Sequence, residues 1–193
     1  MTDLSLSPPT TALVVIDLQK GIVARQCGPH ASADVVARSA RLAEAFRAAG
    51  ATVVLVNVAF SKDRRDVLAP PVDSPNPPTT PPSDWSELVP EIGPRDGDLL
   101  ISKHQWGAFY GTELDLQLRR RGVRTIVLCG IATNFGVEST ARDAWERGYA
   151  IVFAEDAMAG LAAEAHQFAI GTIFPRLGRV RSTDQILLSL PKK

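Results

Sequence analysis

Short apolar runs alternate along the chain with longer segments in which apolar residues recur every three or four positions. The first pattern is typical of strands buried on both faces of a sheet, and the second of helices with one apolar face. Strands are predicted at residues 11–17, 52–60, 98–103, 125–129 and 150–155, with a sixth, edge strand at 179–181. Helices are predicted at residues 32–49, 112–121, 134–147, 162–173 and 183–190.

Strands and helices that alternate in this way predict an α/β fold in which right-handed crossovers build a parallel sheet covered on both faces. Ligands of such sheets bind outside the carboxyl ends of the strands. Asp17, Lys103 and Gly130 each follow or end a predicted strand. We therefore expect three distant segments of the chain to meet at one edge of the sheet.

The segment 61–94 breaks this alternation. It holds nine of the fourteen prolines and shows no hydrophobic period. Disorder is one interpretation, and a long ordered arm is the other, because long loops in compact domains are often functional. Trp85 and Leu88 give the segment apolar surface to bury. We favour an ordered arm that packs over the site or onto a neighbouring subunit.

Composition narrows the classes of function. A chain of 193 residues without an internal repeat fits a single domain over residues 1–193. Its net charge is zero, which argues against nucleic acid or an anionic membrane as a partner. No apolar run approaches the ~18 residues of a membrane-spanning helix, and the first nine residues lack the apolar core of a signal peptide. A cytoplasmic protein is expected.

Two charged residues and one turn are the candidates for chemistry. Asp17 and Lys103 end apolar strands. From position alone Asp17 is better explained as a helix cap or loop residue, and Lys103 can be a solvated loop lysine, but opposite buried charges at neighbouring strand ends should pair. The turn at 130–137 opens a helix, so its outward backbone N–H groups suit a developing oxyanion. Gly136 either lets a substrate approach the backbone or packs against the strand of Asp17.

Three stretches resemble the signature regions of the isochorismatase-like family, also called the cysteine hydrolase superfamily: TALVVIDLQ, KHQWGAFYGTELDLQLRRRG and LCGIATNFGVESTARDAWERGY. The resemblance covers nearly the whole chain and implies a three-layer α/β/α fold with a six-stranded parallel sheet. It implies that Asp17 is the catalytic aspartate and Lys103 the catalytic lysine. Gly136 stands at the position of the family's nucleophilic cysteine, where isochorismatases proper also carry glycine.

The same resemblance implies further site residues. A non-proline cis peptide is expected at Ile131–Ala132, and Thr133 follows it as a substrate-binding residue. Aromatic substrate contacts are expected from Phe109, Trp106 and Tyr110. The chain looks closest to a bacterial subgroup of unassigned activity that shares the WGAFYGT stretch and the glycine. Family members commonly form dimers or tetramers, so a homodimer or homotetramer is expected.

Departures from the family pattern restrict the chemistry. Gly136 has no thiol, which excludes the thioester route of nicotinamidases and carbamoylsarcosine amidases there. Neither Cys27, in a loop, nor Cys129, in an apolar strand, has an evident histidine partner. The stretch AFSKDRRD lacks the histidines with which nicotinamidases bind metal, and the chain's histidines (His30, His104 and His166) are scattered. No metal and no cofactor are expected.

The leading hypothesis is a hydrolase of a small molecule that works without a covalent intermediate. A protonated Asp17 would donate a proton to a vinyl ether, and an ionised Asp17 would activate water for amide or ester hydrolysis. Burial raises and Lys103 lowers the pKa of Asp17, so the sequence leaves both roles open. The substrate-contacting glutamine of isochorismatases has no counterpart at 57–60, which weakens the case for isochorismate. The alternative is a retired hydrolase scaffold that binds a ligand or regulates.

Overall fold

The computed structural model describes residues 4–75 and 80–191. Its centre is a six-stranded, fully parallel sheet with the strand order β3-β2-β1-β4-β5-β6. The strands are β1 (Thr11–Ile16), β2 (Thr52–Val58), β3 (Leu99–Lys103), β4 (Thr125–Ile131), β5 (Ala150–Ala159) and β6 (Arg179–Arg181). The sheet predicted from alternation and resemblance is confirmed.

Helices cover both faces of this sheet. They are α1 (Lys20–Val23), α2 (Ser32–Ala48), α3 (Leu114–Arg120), α4 (Glu138–Glu146), α5 (Ala163–Phe168), α6 (Phe174–Leu177) and α7 (Thr183–Leu188). Side chains of α2 and α7 form one apolar core with the sheet. Side chains of α3, α4 and α6 form a second core on the opposite face. The fold is therefore three layers, helix–sheet–helix, as expected.

Strand β5 continues four residues beyond the predicted end at 155, to Ala159. The sequence prediction ended this strand at Glu155, just before Asp156. Asp156 instead accepts hydrogen bonds from the backbone N–H and the hydroxyl of Thr183. Its backbone carbonyl accepts a third from Arg38. These hydrogen bonds satisfy the polar groups of Asp156. Strand β5 can therefore continue beyond this residue, although its register with β4 shifts between Leu128 and Gly130.

Two predicted helices are interrupted by wider, π-helical turns. The helix predicted from 134 starts with such a turn at Thr133–Val137 before α4 begins. The helix predicted at 162–173 is α5 followed by a second wide turn at Ala169–Ile173. Pro175, expected beyond that helix, lies in the first turn of α6, where a proline N–H would have no partner in any case.

The end of the Pro-rich segment runs across the carboxyl edge of the sheet. The backbone N–H groups of Lys20 and Gly21 donate to the carbonyls of Glu87 and Trp85 at 2.8 and 3.0 Å. The ammonium of Lys20 also pairs with the carboxylates of Asp84 and Glu87. Residues 84–89 are thereby held beside the segment that follows β1.

Among the described helices, none is long and apolar enough to cross a membrane.

Gly130 is expected to tolerate no side chain. Its φ is +116°, and a Cβ there would lie 2.0 Å from the carbonyl oxygen of Ile16 in β1. Gly130→Ala should lower the free energy of unfolding by more than about 3 kcal/mol, measured by urea denaturation, because strain and steric overlap add. Gly50 also has a positive φ but open space around it, so Gly50→Ala should cost only about 1 kcal/mol. Similar losses in both variants would contradict the steric argument.

Candidate active site

Asp17 is the first residue after β1 and is buried. Its φ of +53° is unusual for a residue other than glycine. Its backbone N–H donates to the carbonyl of Val56 in the neighbouring strand β2 at 2.9 Å. The main chain is thus still tied to the sheet at the point where it turns away, which fixes the origin of the carboxylate at the sheet's edge.

Lys103 is the last residue of β3 and is completely buried. Its Nζ lies 2.9 Å from Oδ2 of Asp17 and also donates a hydrogen bond to the backbone carbonyl of Trp106. Strands β1 and β3 lie on opposite sides of β2, so the ion pair spans the end of β2. The pairing expected from the two strand ends is present in the structure.

Burial controls the protonation of Asp17. Loss of hydration raises the pKa of its carboxyl from 3.8 to about 6, against the opposing charge and hydrogen bond of Lys103. The second carboxylate oxygen, Oδ1, is also buried and has no hydrogen-bond partner among the described residues. One oxygen is therefore fixed by an ammonium, while the other has its hydrogen-bonding capacity unused among the described residues.

Gly136 lies directly against this ion pair. A Cβ at this position would be 3.0 Å from Oδ2 of Asp17, 3.1 Å from Nζ of Lys103 and 2.9 Å from a methyl carbon of Ile16. These distances are at or inside the limit of ordinary van der Waals contact. The backbone of the 133–137 turn thus approaches both charges as closely as the absence of a side chain allows.

The turn after β4 contains the remaining features expected there. The peptide bond between Ile131 and Ala132 is cis, and both residues are buried. Within residues 4–75 and 80–191, no backbone or side-chain acceptor receives the N–H of Thr133 or of Asn134. Free N–H groups at the start of a helical turn can bind a negatively charged oxygen.

The hydroxyl of Thr133 is engaged by a residue that the sequence did not reveal. Thr133 is fully buried, and its Oγ1 lies 2.8 Å from Nδ1 of His166 in α5. Burial, followed by repulsion from His30, lowers the pKa of His166 to about 4. His166 is therefore an uncharged ring that holds the side chain of Thr133. No motif in the sequence links these two positions.

The three aromatic residues expected to contact a substrate differ in their exposure. Phe109 is a buried core residue that packs against Tyr149 at a ring distance of 5.8 Å, and its place in a pocket wall stays a prediction. Tyr110 is exposed, and its carbonyl accepts a bond from Gln105. Trp106 is exposed and meets the ring of Phe135 edge-on at 4.9 Å. Alternation of side chains in this loop cannot be read from sequence, because the loop has no regular period.

Gln19 is a second residue that sequence reasoning missed. It is fully buried two residues after Asp17. Its amide bonds both backbone groups of Val58 and the carbonyl of Trp85. The ring of Trp85 stacks near Phe60 at 6.4 Å. Gln19 therefore ties the end of β2 and the arm to the segment that carries Asp17, and its position beside a strand end is the one feature that could have drawn attention to it.

Neither cysteine is placed as a nucleophile. Cys129 is fully buried, and burial raises the pKa of its thiol to about 12. Cys27 packs, partly buried, against the apolar core under α2. A thiol is nucleophilic mainly as the thiolate, so Cys129 is an inert core residue, in line with its position in an apolar strand.

The histidines are less scattered than their spacing indicated. His30 and His166 meet edge-to-face at 5.6 Å, and Nε2 of His30 lies 3.7 Å from a carboxylate oxygen of Glu155. His104 stands apart, with Nδ1 2.6 Å from the carbonyl of Ala59. The meeting of His30 with His166 depends on loop paths that a sequence pattern does not encode.

Comparison with known proteins agrees with this architecture. Residues 11–185 match the model of the isochorismatase domain. The chain is 54% identical to the uncharacterized isochorismatase family protein YecD of Escherichia coli O157:H7 over 97% of this chain and all of YecD. It is 32% identical to the ureidoacrylate amidohydrolase RutB of Stutzerimonas stutzeri, over 94% of this chain and 83% of RutB.

A solved structure extends the likeness to three dimensions. An isochorismatase family protein from Burkholderia thailandensis superimposes with a TM-score of 0.93 and 45% identity, covering 98% of this chain and 99% of that one. The family match spans the residues that supply Asp17, Lys103 and the turn after β4. The chain therefore belongs to the isochorismatase family.

Proposed function

We propose that this chain is a hydrolase of a small metabolite that uses Asp17 as its proton-transfer group and forms no covalent cysteine intermediate. The observation that carries the proposal is the buried carboxyl of Asp17, whose pKa is raised to about 6 and whose Oδ1 has no partner among the described residues. A group with a pKa near the working pH is an effective general acid or base. Because the chain belongs to a hydrolase family, hydrolysis is the reaction in which we propose that the carboxyl of Asp17 transfers protons.

Gly136 takes the place of the family's nucleophile in this proposal. Its backbone touches the Asp17–Lys103 pair, where a cysteine side chain would have to enter. Without a thiol, the enzyme has to add water directly to the substrate or to a cation derived from it. The glycine supports this route because it leaves Asp17 next to the turn with no side chain between them.

A vinyl ether is the substrate class that suits a protonated Asp17. Oδ1 donates its proton to the alkene carbon. The double-bond electrons form the new C–H bond, and an oxocarbenium ion remains. Water adds to that ion and returns a proton to Asp17, and the resulting hemiketal collapses to an alcohol and a carbonyl compound. Lys103 holds Oδ2 throughout, and the N–H groups of Thr133 and Asn134 are suited to binding an oxyanion of the substrate.

Amide hydrolysis is the second candidate, and a specific observation favours it. A carboxyl with a pKa of about 6 is mostly ionised at pH 7, and an ionised Asp17 can take a proton from water. A relative named as a ureidoacrylate amidohydrolase is 32% identical over most of this chain. Water adds to the amide carbon, and the oxyanion of the tetrahedral intermediate binds at the turn after β4. Collapse of the intermediate breaks the C–N bond, and Asp17 gives the proton it took from water to the leaving nitrogen.

The partners of the protein follow from the same reasoning. The substrate in this proposal is a small molecule, as for the small-metabolite hydrolases that the chain resembles. A homodimer or homotetramer remains part of the proposal. Exposed Trp106 and Tyr110 offer aromatic surface for such an interface.

Asp17→Asn is expected to lower kcat/KM by about 10²–10⁴-fold, because the amide cannot transfer a proton. Purified protein is incubated with isochorismate, ureidoacrylate, N-carbamoylsarcosine and simple amides, and products are read by mass spectrometry. Asp73 is exposed, so Asp73→Asn is the matched control and should retain full activity. Equal turnover by Asp17→Asn and the wild type would refute the role of Asp17. Tight binding without turnover of any compound would favour a ligand-binding protein.

The pH dependence of kcat/KM should distinguish the two candidates. A general acid must be protonated, so vinyl ether hydrolysis should fall tenfold per pH unit above about 6. A general base must be ionised, so amide hydrolysis should rise through about pH 6 and then level off. A kcat/KM that stays constant from pH 5 to 8 would show that the protonation of Asp17 does not control the rate.

Gly136→Ala should reduce kcat/KM by about 10²-fold, because the added methyl group displaces Asp17 or Lys103 from its working position. Gly171 lies in the other wide turn with nothing within 4 Å of its Cβ position, so Gly171→Ala is the matched control. Steady-state kinetics and thermal melting of both variants are compared. The proposal fails here if Gly136→Ala is as active as Gly171→Ala.

Stability should also depend on pH through Asp17. Its folded-state pKa of about 6 exceeds the ordinary 3.8, so between these values the folded chain holds a proton that the unfolded chain releases. The free energy of unfolding of the wild type, relative to Asp17→Asn, should therefore decrease as pH rises across this window, by on the order of 3 kcal/mol. Urea denaturation at pH 4 to 7.5 measures it. A difference that grows with pH would show that Lys103 outweighs burial.

A further inference from the structure

We propose that His30, Glu155 and His166 bind one divalent transition-metal ion, of which zinc is the best match. One ligand atom from each of these side chains lies within 4.8 Å of the others. The closest measured approach is 3.7 Å, between Nε2 of His30 and a carboxylate oxygen of Glu155. The cluster uses neither residue of the Asp17–Lys103 pair, and it contacts the turn after β4 through the hydrogen bond between His166 and Thr133.

The donor set fits this class of metal. Two imidazoles and one carboxylate are a common three-residue set for zinc, with a fourth position left for water or a ligand. Imidazole nitrogen also suits cobalt and nickel better than calcium or magnesium, which prefer oxygen donors. His30 and Glu155 are partly exposed, whereas His166 is buried, so an ion could enter from the side of the first two residues.

The three donors come from segments that the backbone holds together. His30 follows Gly28, whose N–H and carbonyl exchange hydrogen bonds with Gly160 at 2.9 and 2.8 Å. Gly160 directly follows β5, which carries Glu155, and a Cβ on Gly160 would lie 3.5 Å from Cβ of His166. The loop, the strand and α5 therefore meet at one point, and little rearrangement is needed to bring the donors around an ion.

The hydrogen bonding of His166 suits a metal ligand. Nδ1 of the ring is already paired with the hydroxyl of Thr133. Metal-bound histidines typically use one nitrogen for the ion and the other for such an outer hydrogen bond.

A simple ion pair between His30 and Glu155 is the competing explanation. Their separation of 3.7 Å exceeds a normal hydrogen bond. In the described part of the chain, neither ring nitrogen of His30 makes a hydrogen bond. A metal ion would give both imidazoles and the carboxylate a shared partner, which the ion pair does not.

The test is direct metal binding by protein without an affinity tag, stripped with a chelator and titrated with Zn²⁺ and Co²⁺. Calorimetry gives the stoichiometry, Co²⁺ absorption bands report the coordination, and thermal melting reports the stabilisation. We expect one ion per chain and a Tm that rises with metal concentration. His30→Gln and Glu155→Gln should each abolish this binding, and melting of the metal-free variants checks that they are folded.

Two further variants sharpen the result. His104 is a histidine away from the cluster, so His104→Gln should bind metal like the wild type. Thr133→Val removes only the outer hydrogen bond to His166 and should weaken binding about 10–100-fold. The proposal is overturned if the wild type shows no saturable binding, or if His30→Gln and Glu155→Gln bind as the wild type does. These readouts do not involve catalysis, so they stand or fall independently of the proposed hydrolase activity.

Discussion

The buried ion pair between Asp17 and Lys103 is the constraint on which the rest of this site depends. Each charge alone would be too costly to bury, and the two meet at 2.9 Å only because β1 and β3 end level with each other on either side of β2. The register that pairs Val58 with Lys103, and the bond from Asp17 to Val56, set that level. A parallel sheet therefore does more than support the site, since its register decides whether the two charges can neutralise each other.

Around this pair, burial and attraction act in opposite directions on one proton. Loss of water favours the neutral carboxyl of Asp17, and the ammonium of Lys103 favours the ionised one; burial is the larger effect. Gly136 brings backbone against both groups without adding a side chain that competes for either charge. The resulting carboxyl is poised between acid and base, which is why the structure is compatible with two reaction classes in one family.

The parts of this molecule that could be predicted are those encoded by regular patterns. Buried strands are recognisable in the sequence as apolar runs, and the carboxyl ends of parallel strands lie at the same edge of a sheet. The convergence of Asp17, Lys103 and the turn after β4 could therefore be predicted from the sequence. The failures lie where geometry depends on irregular backbone. Strand β5 continues through Glu155, and His30 meets His166 across a loop. Charge and spacing carry no information about such paths.

The docking of residues 84–89 has a consequence for how relatives of this protein can diverge. Those residues are held mainly through main-chain bonds to Lys20 and Gly21 and through the amide of Gln19, so the attachment depends little on which side chains the preceding segment carries. Lengthening a loop between two fixed ends costs only about 0.6 kcal/mol for each doubling. The segment before residue 84 can thus change by insertion or replacement while the Asp17–Lys103 pair keeps its geometry, so the surroundings of the pair can diverge independently of the pair itself.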